Sequence, residues 1–155
     1  MKKAQFWYGD FLVAVLILMI IGVLFVVSIR DLTSRNEILK DLTLEASDIS
    51  SMLMTEGTFI EEWGDYKGTI GFITNNKFDE NKFSEFSDNL TPEEQSVMLG
   101  TYNKVWIYLE NRNGNKIYYN LEYTSINQID SPNLVHIKRF VFYNGDIHTL
   151  GVVVF

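Results

Sequence analysis

Residues 11–29 read FLVAVLILMIIGVLFVVSI, from Phe11 to Ile29, nineteen positions without a charge or a proline. At 1.5 Å per residue, a helix of this length spans about 28 Å, close to the roughly 30 Å hydrocarbon thickness of a bilayer. A core helix of a soluble domain keeps a polar face where it meets water, and this stretch has none. The reading is a transmembrane helix. It divides the chain into a short segment at 1–10, the span at 11–29 and a domain at 30–155.

The charges sort along the same division. The chain of 155 residues carries 13 Lys and Arg against 20 Asp and Glu. Setting aside Lys2, Lys3 and Asp10 leaves 11 basic and 19 acidic groups in residues 30–155, a net charge of −8. So acidic a domain repels phosphate backbones, which argues against a nucleic-acid partner. The chain has no cysteine, which excludes a lipoprotein anchor, disulfides, thiolate metal sites and cysteine catalysis. Lys2 and Lys3 precede the span, whereas Arg30 and Arg35 beyond it are offset by Asp31 and Glu37. The positive-inside rule then puts the N-terminus in the cytoplasm and residues 30–155 outside the cell. Phe6, Trp7 and Tyr8 fall where the inner headgroups would lie. The sequence Ser28-Ile29-Arg30-Asp31 offers no small-residue cleavage site, so the span is expected to stay attached on that side.

Beyond the membrane, Leu32, Leu39, Leu42, Ala46, Ile49 and Leu53 share one face, with steps of three and four from Leu39 onward. The helix is therefore expected to continue out of the membrane and stop at Gly57. A short strand is expected around Thr69–Ile73. Asp79 caps a helix that turns Phe83 and Phe86 inward, and Thr91-Pro92-Glu93-Glu94 opens another that Gly100 closes. Val105–Glu110 and Lys116–Leu121 flank Asn111-Arg112-Asn113-Gly114, while Val135–Tyr143 and Asp146–Phe155 flank Asn144-Gly145; both read as hairpins. A tight second turn sets Tyr143 opposite Asp146 and gathers Val135, Ile137, Val141, Leu150, Val152 and Val154 on one face. The predicted fold class is α+β: a long N-terminal helix, half transmembrane and half amphipathic, packed on a C-terminal antiparallel β-sheet head domain.

Motifs for chemistry are missing. No nucleophile elbow, Walker loop, dinucleotide glycine pattern or His-Glu-x-x-His occurs, so neither an enzyme nor a cofactor is expected. His136 and His148 fall on opposite faces in the hairpin register and read as exposed or edge histidines that share no metal. Glu61, Glu62 and Asp65, with Asp79-Glu80 further on, lack the alternating spacing of a calcium loop and read as solvated acids. Asn89-Leu90-Thr91 is a glycosylation sequon, making Asn89 a candidate acceptor, with Pro92 directly after it. Asp10 stands at the membrane edge, where a carboxylate still reaches water.

Lys2-Lys3-Ala4-Gln5 ahead of the apolar run resembles the class III (prepilin-type) signal of archaeal type IV pilins and archaellins. Ala4 stands where Gly is more usual, and Asp10 is sixth after the cut where many members place an acid fifth. Gly57 to Trp63, Gly71-Phe72-Ile73, Lys77–Phe83 and Lys138–Gly145 are similar to stretches that such proteins carry after the helix, without the proline between Gly57 and Trp63. The resemblance implies a prepilin-type peptidase cutting between Ala4 and Gln5. It also implies a mature apolar helix that passes from the bilayer into a filament core of pilin-like subunits, and a pairing of Asp10 with a neighbour's α-amino group. The alternative is a single-pass anchored binding or sensor domain that never assembles, although ten residues before the span leave little for a cytoplasmic output. An anchored hydrolase has no nucleophile constellation to support it.

Overall fold

The computed structural model describes residues 3–57, 69–123 and 125–155, with side chains from Tyr8 onward. The chain forms two compact units, residues 1–38 and 39–155. Helix α1 runs Lys3–Leu53 without a break, as expected of a segment with no proline and no glycine after Gly22. The head is α+β, as predicted. It contains β1 (Ile73–Thr74), β2 (Lys77–Phe78), α2 (Glu80–Asn89), α3 (Pro92–Met98), β3 (Val105–Glu110), β4 (Lys116–Tyr119), a single 3₁₀ turn (Ile126–Gln128), β5 (Val135–Tyr143) and β6 (Asp146–Val154). An antiparallel sheet in the order β4-β3-β6-β5 forms its centre.

The predicted hairpin register is the observed one. Tyr143 pairs with Asp146 and Val135 with Val154, across a turn in which Asn144 and Gly145 both have positive φ, at 49° and 86°. That backbone matches the right-handed strand twist, and Asn-Gly adopts it at little steric cost. The inner face then buries Val141, Leu150, Val152 and Val154 against Leu42, Ala46, Ile49 and Leu53 of α1, with Val135 and Ile137 packed beside them. Leu32 and Leu39, predicted to join this stripe, are instead 63% and 38% exposed. Polar ties complete the seam: Arg139 Nε donates to the buried Ser50 Oγ at 2.9 Å, and Asn103 Nδ2 donates to Glu45 Oε2 at 2.8 Å.

Phe72 is the hub of the remaining core, with Phe83 and Phe86 edge-on to it at centroid distances of 5.2 and 5.4 Å. Both rings come from α2, inward as predicted, and Asp79 caps that helix by accepting from Asn81 N and Lys82 N. In α3, Thr91 and Glu94 form the reciprocal capping box. Gly100 closes that helix at φ 74°, its N–H donating to Val97 O while Thr101 N donates to Ser96 O.

Three boundaries differ from the sequence reading, each for a visible reason. Helix α1 stops at Leu53 rather than at Gly57, because Phe72 N takes the Leu53 carbonyl at 2.9 Å. Gly57 serves close approach: a Cβ there would lie 2.2 Å from Gly71 N, and one on Gly71 would lie 2.3 Å from Thr55 O. The strand expected at Thr69–Ile73 is only Ile73–Thr74, turned back onto Lys77–Phe78 by Asn75 and Asn76, whose φ values are 52° and 61°. Strand β4 ends at Tyr119, not Leu121, because the Asn120 side chain takes over the pairing. Its Oδ1 accepts from Ile107 N at 2.7 Å and its Nδ2 donates to Val105 O at 2.9 Å.

Candidate functional surfaces

The first surface lies in residues 1–38. By length and composition the helix over Tyr8–Leu53 can cross a membrane, and no residue of its apolar stretch from Phe11 to Ile29 is buried. Apart from the partly covered Val15, its large side chains range from 47% exposed at Ile29 to 72% at Leu18. Fifteen exposed large apolar side chains in one stretch far exceed the apolar patch a soluble monomer leaves in water. Asp10 is exposed on the turn preceding this run. Ala4 and Gln5 lie in the helical backbone near its start. Beyond the run, Arg35 Nε lies 3.9 Å from Asp31 Oδ2, both side chains well solvated; an exposed pair of this kind contributes little.

The second surface is the outer face of the sheet, which the sequence reading left unassigned. The pairings stack it in rows: Trp106, Val153 and His136; then Tyr108, Gly151 and Lys138; then Glu110, Thr149 and Phe140; and last Ile147 and Phe142. Trp106, Tyr108 and Val153 are buried beneath Ile129, Tyr123, Ile126 and Phe155, a second core under the chain segment after β4. Gly151 makes room there, since a Cβ would meet the Tyr108 ring at 2.3 Å. Tyr108 Oη lies 2.7 Å from His136 Nε2, and Lys116 Nζ sits 5.1 Å from the Tyr108 ring centroid. Lys138 Nζ pairs with Glu110 Oε1 at 3.6 Å. The far rows are open: Phe140 is 77% exposed, Phe142 50% and Ile147 56%. All three line a groove of about 540 Å³.

The histidines do lie on opposite faces, and His136 is at an edge as expected, on the outermost strand β5, whereas His148 is not the exposed or edge residue expected. His136 is half-buried against Tyr108. His148 is buried in the central strand β6, its ring 5.4 Å from that of Tyr143. Asp79 and Glu80 are structural rather than merely solvated: Asp79 accepts from Thr74 Oγ1, and Glu80 accepts from the hydroxyls of Tyr118 and Tyr143. Glu61, Glu62 and Asp65 lie outside the described residues. Asn89 is exposed at the last position of α2, while the Thr91 hydroxyl of its sequon is engaged with Glu94. Among the described residues no group of three or more His, Asp or Glu is placed to hold a metal ion.

Comparison with protein-family models, curated proteins and solved structures yields no significant match.

The electrostatics of the tyrosine cluster predict how the head responds to pH. Hydrogen bonds first from Tyr143 and then from Tyr118 hold the Glu80 carboxyl below its ordinary range. Bonding to Tyr143 and Glu80 raises the Tyr118 phenol, burial and the Glu80 bond raise Tyr143, and burial followed by the Glu110 charge pushes Tyr108 up to about 12. Groups with raised pKa stabilise the fold fully below the ordinary phenol value of about 10, and that stability is lost as pH climbs through the raised values. Glu80 contributes above the ordinary carboxylate range and loses its contribution as pH falls through its lowered pKa. His136 is held low by burial and then by the Lys138 charge, so its contribution also fades as pH drops below about 6.5. In an ultraviolet titration of the eight tyrosines, Tyr108, Tyr118 and Tyr143 are expected to ionise last, with head unfolding. Tyr108→Phe should remove one late group. Ionisation of Tyr108, Tyr118 and Tyr143 together with the other tyrosines of a still-folded head would contradict the assignment.

Proposed function

We propose that this chain is a pilin-like, non-catalytic surface subunit, held in the membrane by one helix until it joins other subunits. The observation that carries the reading is the double role of α1. One continuous helix holds the bare apolar stretch Phe11–Ile29 and then supplies Leu42, Ala46, Ile49 and Leu53 to the core of an antiparallel β head. An anchor built only to tether a domain has no need to supply that domain's core. The lysines before the span favour a cytoplasmic N-terminus and a head facing the medium. Ala4-Gln5 is the proposed cut for a prepilin-type peptidase, and Asp10 the proposed assembly residue. The open outer sheet face favours a second reading, an anchored binding domain that remains a monomer.

Intact mass and N-terminal sequencing of the membrane-extracted protein, with protease added outside intact cells, test the proposal. A chain beginning at Gln5, with the head digested from outside, is the expected result. A full-length mass would return the chain to an uncleaved anchor, and a protected head would reverse the orientation.

A further inference from the structure

The open groove of the outer face has a chemistry that neither anchoring nor assembly uses. Strand β6 extends three residues beyond its last pairing with β3, Thr149 with Glu110. Asp146–His148 therefore have β5 on one side only, and the loop at Asn111 and Arg112 walls the other side of the groove. Phe140, Phe142 and Ile147 are its apolar lining, and Glu110, Arg112 and Asp146 its charged lining. Its volume of about 540 Å³ falls in the usual range for small-ligand sites.

Three constraints narrow what fits. Glu110 is already matched by Lys138 at 3.6 Å, and Arg112 and Asp146 are opposite in sign, so no excess charge favours a phosphate, a sulfate or a cation. Two exposed aromatic rings on alternate positions of one strand offer a flat apolar surface, which a wholly polar ligand would not use. The charged lining nevertheless combines carboxylates, which only accept, with a guanidinium, which only donates, so a lipid tail would strip water from these groups without return. A ligand with a flat C–H face and an edge of hydroxyls, each able to donate and accept, meets all three. We infer that the groove binds a neutral carbohydrate, a pyranose face resting on Phe140 and Phe142 and its hydroxyls meeting Glu110, Arg112 and Asp146. The inference does not depend on whether the chain is cleaved or assembles.

Calorimetric titration of the full chain in detergent tests it, using maltohexaose, cellohexaose, mannohexaose and chitohexaose, with a heparin-derived hexasaccharide as the charged control. Saturable binding of at least one neutral sugar is expected, weakened about tenfold or more by Phe140→Ala or Phe142→Ala, the order expected for losing an aromatic anchor. Arg112→Ala should weaken it as well, with the thermal midpoint unchanged in all three variants. The inference is overturned if none of the four neutral sugars binds, if only the sulfated sugar binds, or if the phenylalanine variants bind as well as the native chain. Loss of copy-to-copy association in Phe140→Ala, without any sugar binding, would make this face a subunit contact and overturn it equally.

Discussion

Phe72→Ala is expected to lower the stability of the head by about 3–5 kcal/mol, the cost of deleting a fully buried aromatic ring and leaving its cavity. Phe72 is wholly buried and touches the rings of Phe78, Phe83 and Phe86 at centroid distances of 5.2 to 6.2 Å. Its backbone also joins Leu53 O to Asp79 N, linking the end of α1 to the start of α2. Phe78 comes from β2 and Phe83 and Phe86 from α2, so closing the void requires these two elements to shift against each other. Domains of this size hold about 5–15 kcal/mol in total, and the variant should retain a fraction of the native stability. Denaturant unfolding of the full chain in detergent, followed through the near-ultraviolet signal of the head, measures the loss. Phe140→Ala, at an exposed site on the four-stranded sheet of the same head, should change stability by about 0.5 kcal/mol or less. Equal effects of the two substitutions would refute this account of the core.

Asp10→Ala is expected to abolish recovery of the protein in sheared surface assemblies, while membrane insertion and head folding continue. This follows from the proposed assembly. After a cut at Ala4-Gln5, the new amine of Gln5 lies five residues from Asp10, about 7.5 Å along the helix axis. That is too far for a pair within one chain, so the carboxylate must find the amine of a neighbour. Removing one partner of a buried pair costs about 3–5 kcal/mol, and even the lower figure exceeds a hundredfold in association. Asp10→Asn should restore little, because the charge is what the amine needs. Quantifying native and variant protein in the sheared and membrane fractions decides the matter. Equal entry of Asp10→Ala into assemblies would remove the basis for a filament role.

Local chemistry made much of this head legible. Asn144-Gly145 specified its turn through positive φ, and the two-residue period then sorted the inner face without further information. Thr91, Pro92 and Glu94 announced α3 for the same reason: the signal and its structural partner lie within one turn. What the sequence hid depends on distant partners. Nothing local to Leu53 announces that Phe72 will take its carbonyl, nor does Asn120 advertise that its amide will replace a strand. Gly57 looked like a helix stop because the residue it must approach, Gly71, is fourteen positions away. The outer face was the larger omission, although its signal was present. The parity that turned Val135, Ile137 and Val141 inward placed Phe140 and Phe142 outward, and two outward aromatics on one strand are a surface feature in their own right. Glu80 showed no sign of its role because both hydroxyls that bind it come from the sheet.

The last turns of α1 make the head difficult to release. A domain joined to a helical anchor by a flexible stalk can be cut free by a protease as an intact soluble form. Here Leu42, Ala46, Ile49 and Leu53 belong to the same helix as the membrane-length stretch and to the inner core of the head. A cut within or beyond this run would remove that wall of the core along with the anchor. Only a narrow window before Leu39, where the side chains are solvated, allows cleavage that leaves the fold whole. Release of the head and its unfolding are therefore nearly the same event for this protein, and a soluble fragment carrying the folded head should begin in that window.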